Sequence, residues 1–173
     1  MSTVKVGTFI RAGTLALLLT LFTMHTAYAS AQKGIQAFQR GKYEEALKYL
    51  KPAVEAGDAS AMYVLGQMYA SGRGIAKDEK AATDLFLKAA NLGDANAQQS
   101  LGSALMLGEG IEQDMIEALK WFIISARAGN KDAAAYTEKV GRFLSRDMQR
   151  EARAKALEWQ KANAGKDSDA PQK

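Results

Sequence analysis

The chain has 173 residues, with 23 basic and 19 acidic side chains, one histidine and no cysteine, for a net charge of +4. So even a balance argues against nucleic acid or an anionic membrane surface as partner. The lack of cysteine excludes disulfides, thiolate metal sites and cysteine nucleophiles.

Lys5 and Arg11 precede or flank an apolar run from Gly13 to Met24, and Ala27-Tyr28-Ala29 puts small residues at the two positions a signal peptidase inspects. Residues 1–29 are therefore read as a secretory signal cleaved after Ala29. An uncleaved anchor is the alternative, but Thr20, Thr23, His25 and Thr26 interrupt a run that would need about 20 apolar residues to span a bilayer. Cleavage removes Lys5, Arg11 and His25 and brings the net charge to +2. The mature chain then has neither histidine nor cysteine, which excludes Ser-His-Asp and Cys-His catalysis and imidazole-built zinc sites. No catalytic residue, metal or cofactor is expected, and the expected location is the periplasm or the medium, without stable membrane insertion.

A first hairpin is expected over about 32–57. Gln32 to Arg40 forms one helix, Gly41-Lys42-Tyr43 a short turn, and the segment from Glu44 a second helix in which Pro52 predicts a bend or break near Lys48. In the next hairpin, about 58–93, Ala61, Leu65, Met68 and Tyr69 recur at helical spacing. Ser71-Gly72-Arg73-Gly74 ends that helix, Ile75 tucks beneath the turn, and Asp78 caps a second helix burying Ala82, Leu85, Phe86, Ala89 and Ala90 up to Gly93. The hairpin over about 94–129 copies this. It has Leu101, Ala104 and Leu105 on its first helix, Asp114 and Glu117 as a capping box, and Ala118, Trp121, Phe122 and Ala126 on its second. Trp121 and Phe122 are read as core.

The copy is position by position at an offset of 36 residues: Leu65-Gly66 with Leu101-Gly102, Gly72-x-Gly74-Ile75 with Gly108-x-Gly110-Ile111, Phe86 with Phe122. A period in this range is the signature of a helix-pair solenoid, so the fold class is all-α, an α/α superhelix of hairpins. After Gly129 the pattern decays, with Thr137 and Glu138 where Leu-Gly would fall. Terminal helices over 130–163 are expected instead. Ser145 caps the last one, Arg146 to about Ala162, and Met148, Ala152, Ala156 and Trp159 form the stripe by which this C-terminal capping helix covers the open end. Residues 164–173 have no apolar period and are read as a disordered tail.

The unit from Asp58 to Gly93, with Ala59, Ala61, Tyr63, Leu65-Gly66, Met68-Tyr69, Gly72-x-Gly74-Ile75, Ala82, Phe86 and Ala89-Ala90, resembles the Sel-one-like repeat, a relative of the tetratricopeptide repeat. Residues 32–57 are more similar to a tetratricopeptide hairpin, through Gly34, Gly41, Tyr43 and Ala46. The resemblance implies an adaptor or scaffold that binds a protein partner on its concave face, in an exported envelope protein. It places that face on Ser60, Tyr63, Val64, Gln67 and Ala70 and on Asn96, Gln99, Ser100, Ser103 and Met106, of which Tyr63, Gln67, Gln99, Ser103 and Met106 are the candidate contact residues. No Lys or Arg occupies these positions, so a basic clamp for a peptide carboxylate is not expected. Two alternatives remain at this level. One is a hydrolase of cell-wall material or β-lactams, since some cysteine-rich relatives are associated with penicillin binding. The other is an immunity-type protein neutralising a secreted effector. The carboxylate pairs Asp78 and Glu79, and Asp114 and Glu117, are placed at helix starts, where capping already explains them.

Overall fold

The computed structural model describes residues 28–164. The expected leader lies outside them as far as residue 27, and the expected tail lies outside them from residue 165. Among the described residues eight helices follow one another: α1 (28–39), α2 (Tyr43–Glu55), α3 (Ala59–Ser71), α4 (Glu79–Asn91), α5 (Ala95–Leu107), α6 (Met115–Arg127), α7 (Lys131–Gly141) and α8 (Arg146–Asn163). Tyr28 and Ala29 belong to the first turn of α1, earlier than the helix start expected near Gln32. The adjoining residues are built into the fold: Ser30 Oγ donates to the Tyr49 carbonyl at 2.8 Å and Ala31 is fully buried.

From α3 on, each helix starts on a capping side chain, whereas α2 has none. Asp58, Asp78, Asp94, Asn130 and Ser145 all accept from a backbone N–H three residues on, which satisfies a donor the helix itself leaves unpaired. Asp114 accepts from both Ile116 and Glu117 at 2.9 Å, but the reciprocal half of the expected capping box is absent. The Asp114 N–H goes to the Leu105 carbonyl at 3.0 Å, and the Glu117 carboxylate turns to Lys120 and Lys155. The same long bond, Asp78 N–H to the Tyr69 carbonyl, closes the equivalent loop one repeat earlier.

Pro52 does not break α2, which runs on to Glu55. The proline stands in the last turn, where a single backbone bond is lost, and Leu50 and Ala53 on either side are fully buried and hold the helix in place. The repeated Leu-Gly pair has a steric reason. A Cβ on Gly66 would lie 2.6 Å from Phe86 Cε1, and one on Gly102 would lie 2.8 Å from Phe122 Cε1, so each glycine lets the aromatic ring of the next helix cross directly over the backbone.

Packing divides at α3. Ala61, Val64 and Met68 face back towards Ala46, Leu50 and Ala53, whereas Met62 faces forward into a larger core that runs through Phe86, Leu101, Trp121 and Phe122 to Val140, Ala152 and Ala156. Trp121 and Phe122 are core residues as expected. The end of the solenoid is closed from two sides. Tyr136 of α7 stacks on Phe122 with centroids 5.0 Å apart, and Trp159 of α8 meets Trp121 edge-on at 5.6 Å. Ala152 and Ala156 are buried beneath α8, but Met148, expected on the same stripe, is exposed. Leu85, expected to be buried, is half-buried, and so is Tyr69, which packs on the core.

Candidate functional site

The five candidate contact residues come from two helices that occupy equivalent places in consecutive repeats, α3 and α5. Gln67 Nε2 donates to the Tyr63 hydroxyl at 2.8 Å, and Gln99 Nε2 donates to Ser103 Oγ at 3.1 Å. These are i, i+4 pairs, so each helix presents a short hydrogen-bonded ridge rather than free amides. Gln67 and Ser103 line one hollow of about 470 Å³, floored by Ala70, Ala82, Phe86 and Ala104. Gln99 stands on the other side of the Ser103 ridge, in a second hollow of about 400 Å³ with Asp132, Tyr136 and Lys139. Tyr63 is half-buried against Phe86, with ring centroids 6.1 Å apart. Met106 lines neither hollow; it packs on the core, and its carbonyl accepts from Gln113 Nε2. Val64, which the resemblance placed on the concave face, points into the core and is 6% exposed.

Electrostatics behind the groove centre on Asp94. Burial pushes its carboxyl above the ordinary range, against the hydrogen bonds it accepts from Ala97, Asn96 and Ser60, and nearby Asp58 adds to the rise. The Tyr63 phenol is likewise pushed up, first by burial and then by the negative charge of Asp94, so the hydroxyl remains protonated and available as a hydrogen-bond donor.

The charged walls of the larger hollow come from residues outside the first-helix positions. Arg73 and Lys77 reach the larger hollow from the Gly-x-Gly loop after α3, Glu79 from the start of α4, and Glu109 from the matching loop after α5. First-helix positions carry no base, as expected, but the loop supplies two. Lys77 and Glu79 pair at 2.6 Å, and that bond together with the Glu79 charge raises the Lys77 pKa, with Glu109 contributing less. Thr83 is 3% exposed and donates to the Glu109 carbonyl at 2.9 Å, which ties α4 to the next repeat's loop across the hollow. One signal was present for Thr83: its counterparts 36 residues away in either direction are Leu47 and Leu119, so a hydroxyl stands where an apolar side chain is the rule.

Chemically the groove offers hydrogen bonds, an apolar floor and a charged rim. The carboxylate pairs singled out above are occupied. Asp78 and Asp114 cap helices, Glu79 holds Lys77, and Glu117 holds Lys120 and Lys155 at 2.7 and 2.9 Å. Among the described residues no three His, Cys, Asp or Glu side chains converge as a metal site requires, and no helix is long and apolar enough to cross a membrane.

The Sel1 repeat model matches residues 29–58, 59–94 and 95–130, so the first hairpin, more similar to a tetratricopeptide hairpin on its residues alone, also counts as a Sel1 repeat. Among solved structures, c5321, a protective antigen present in uropathogenic Escherichia coli strains and displaying an SLR fold, superposes with a TM-score of 0.74 at 25% identity, over 85% of this chain and 33% of that one. The Sel1 repeat protein from Oxalobacter formigenes gives 0.63 at 34% identity, over 79% of this chain and 58% of that one. Helicobacter pylori cysteine rich protein B gives 0.57 at 22% identity, over 70% and 93%, a likeness of fold alone. The chain thus spans a third of the first protein's length and little more than half of the second's. No curated protein matches the sequence. With three consecutive repeat matches covering more than half its length and an all-helical solenoid in common with these structures, the chain belongs to the Sel1 repeat family.

Proposed function

We propose that this protein is a non-catalytic adaptor of the bacterial cell envelope, exported by its leader, which holds a segment of a partner protein in the groove between α3, α4 and α5. Sel1 repeat proteins are in general protein-interaction modules, and the fold is typically a non-enzymatic scaffold. The observation that carries the reading for this chain is the larger hollow itself. About 470 Å³ of open space lies between two repeats, with Phe86 and three alanines beneath and Gln67, Ser100 and Ser103 along its sides. An apolar floor with a few convergent polar groups is what a peptide side chain needs for affinity and orientation.

The test is a pull-down with the full chain from an envelope extract of the producing cells, beside a Gln67→Ala, Ser103→Ala double variant. Both substitutions shorten side chains that are not in the buried core, so the fold is expected to persist, as circular dichroism would verify. A protein retained by the parent and lost by the variant supports the groove. A partner held equally by both places the binding surface elsewhere.

A further inference from the structure

We propose that Arg73 is the residue by which the groove selects its partner, and that the partner segment carries an acidic side chain next to an apolar one. The proposal deepens the groove reading and rests on it. Four charged side chains stand around the larger hollow, and they are not equivalent. Lys77 is committed: its ammonium is 2.6 Å from Glu79, and the Glu109 charge also acts on it. Arg73 has no carboxylate within ion-pair distance among the described residues. Glu109 is likewise in no ion pair, so among the described residues the rim carries one paired couple, one unpaired guanidinium and one unpaired carboxylate. A guanidinium offers a rigid fork of donors matched to a carboxylate, so an acid fits the Arg73 side of the hollow, away from the free Glu109 carboxylate.

The position of Arg73 tells against a random surface charge. It lies between Gly72 and Gly74, whose φ angles of +67° and +71° turn the loop back over the hollow. Gly72 donates its N–H to the Met68 carbonyl, and Arg73 donates to the same oxygen at 3.0 Å, so the backbone that carries the guanidinium is fixed at the end of α3. In the next repeat the same position is Glu109, on the same hollow. The rim therefore has opposite charges at equivalent places of two successive loops, which gives an elongated occupant a direction.

The occupant passes through rather than ending there. Ser103 lines the larger hollow and Gln99, its hydrogen-bond partner, lines the second, so an occupant of the first has a second hollow beside it to run into. The acid is accordingly the side chain of an internal residue, not a chain terminus, and the neighbouring apolar side chain lies over Phe86.

The test is selection of a random-peptide display library on the full chain, then on Arg73→Gln and Arg73→Glu. Peptides selected by the parent should be enriched in Asp or Glu beside an apolar residue. They should lose about tenfold in affinity for Arg73→Gln, by the worth of a charge-assisted bond, and amidating their C-termini should change nothing. Arg73→Glu should select basic peptides instead. Peptides without acidic enrichment that still lose affinity for the Gln67→Ala, Ser103→Ala variant would overturn the role of Arg73 and keep the groove. Binding abolished by C-terminal amidation would overturn the internal acid. Failure of the parent to select any peptide that depends on Gln67 and Ser103 would overturn both readings.

Discussion

Replacing Gly110 by alanine tests how the repeats are locked together beneath the groove. Gly110 and its neighbour Gly108 have nearly the same backbone, with φ of +68° and +76°, a conformation that costs an L-residue about 1–2 kcal/mol. Their surroundings differ. A Cβ on Gly108 meets nothing closer than 3.6 Å, whereas one on Gly110 would stand 2.2 Å from the Glu79 carbonyl oxygen and 2.7 Å from the Lys80 nitrogen, at the first turn of α4. No rotamer relieves a contact with backbone, so the loop or α4 must move, at a further cost of about 1–3 kcal/mol. Thr83 bonds the Glu109 carbonyl immediately before Gly110, so the same movement strains that bond. For a domain of this size, about 3–5 °C per kcal/mol, Gly108→Ala should melt about 5 °C below the parent and Gly110→Ala about 15 °C below it. Thermal unfolding followed by far-ultraviolet circular dichroism measures both. Equal melting temperatures for the two variants would mean that the loop does not seat on α4 as described.

Three further outcomes follow from the packing and the charges. Ala90 is fully buried where α4 meets the next repeat, so Ala90→Phe should cost about 1–3 kcal/mol, and a melting temperature equal to the parent's would refute the close crossing. Burial of Glu117 would raise its pKa, but hydrogen bonds and attraction from Lys120 and Lys155 outweigh it and hold the carboxyl below the ordinary range. Its contribution is therefore present above the unfolded carboxylate pKa and is lost as pH falls through the lower, folded value. Glu117→Gln should lower stability by about 1 kcal/mol at neutral pH, with the gap to the parent closing in acid; a gap independent of pH would refute the assignment. Asp94 has the opposite sign: burial and Asp58 raise its pKa, so its contribution to stability declines as pH rises through the carboxylate range. Asn130 already performs the same capping task one repeat later, so Asp94→Asn should be at least as stable as the parent at neutral pH and gain nothing in acid. A lower melting temperature at neutral pH, with the fold intact, would mean that the negative charge on the helix start outweighs its burial.

The solenoid was legible because its determinants are local. Asp before each of α3 to α6, Gly after it, and Phe86 or Phe122 opposite Gly66 or Gly102 sit at fixed offsets, and two copies of one pattern confirm each other without any knowledge of distant contacts. What failed were features decided by the surroundings. Pro52 reads as a bend or break on propensity alone, but the helix runs through it without a break, with buried Leu50 and Ala53 on either side. Glu117 reads as half of a capping box, but two lysines, one of them 38 residues away on α8, offer it a stronger partner. Val64 falls on the concave side by analogy with first-helix positions, yet it packs inward with Ala46, Leu50 and Ala53 of the first hairpin.

The groove was only half legible, and the reason lies in how a repeat distributes its constraints. Positions that pack between hairpins are the same in both full repeats: Ala82 and Ala118, Phe86 and Phe122, Leu65 and Leu101. The polar side chains around the larger hollow are different at each equivalent place, among them Gln67 against Ser103, Arg73 against Glu109 and Thr83 against Leu119. A search for periodicity selects the first set and passes over the second, because residues that break the period register as noise. Packing dictates the repeating residues and leaves the others free, so chemical individuality in a solenoid can enter only where the repeats disagree. In this chain those disagreements are not scattered. Gln67 with Ser103, and Arg73 with Glu109, line one hollow from opposite repeats, which makes the asymmetry between neighbouring repeats, rather than any motif within one, the sequence feature that marks the site.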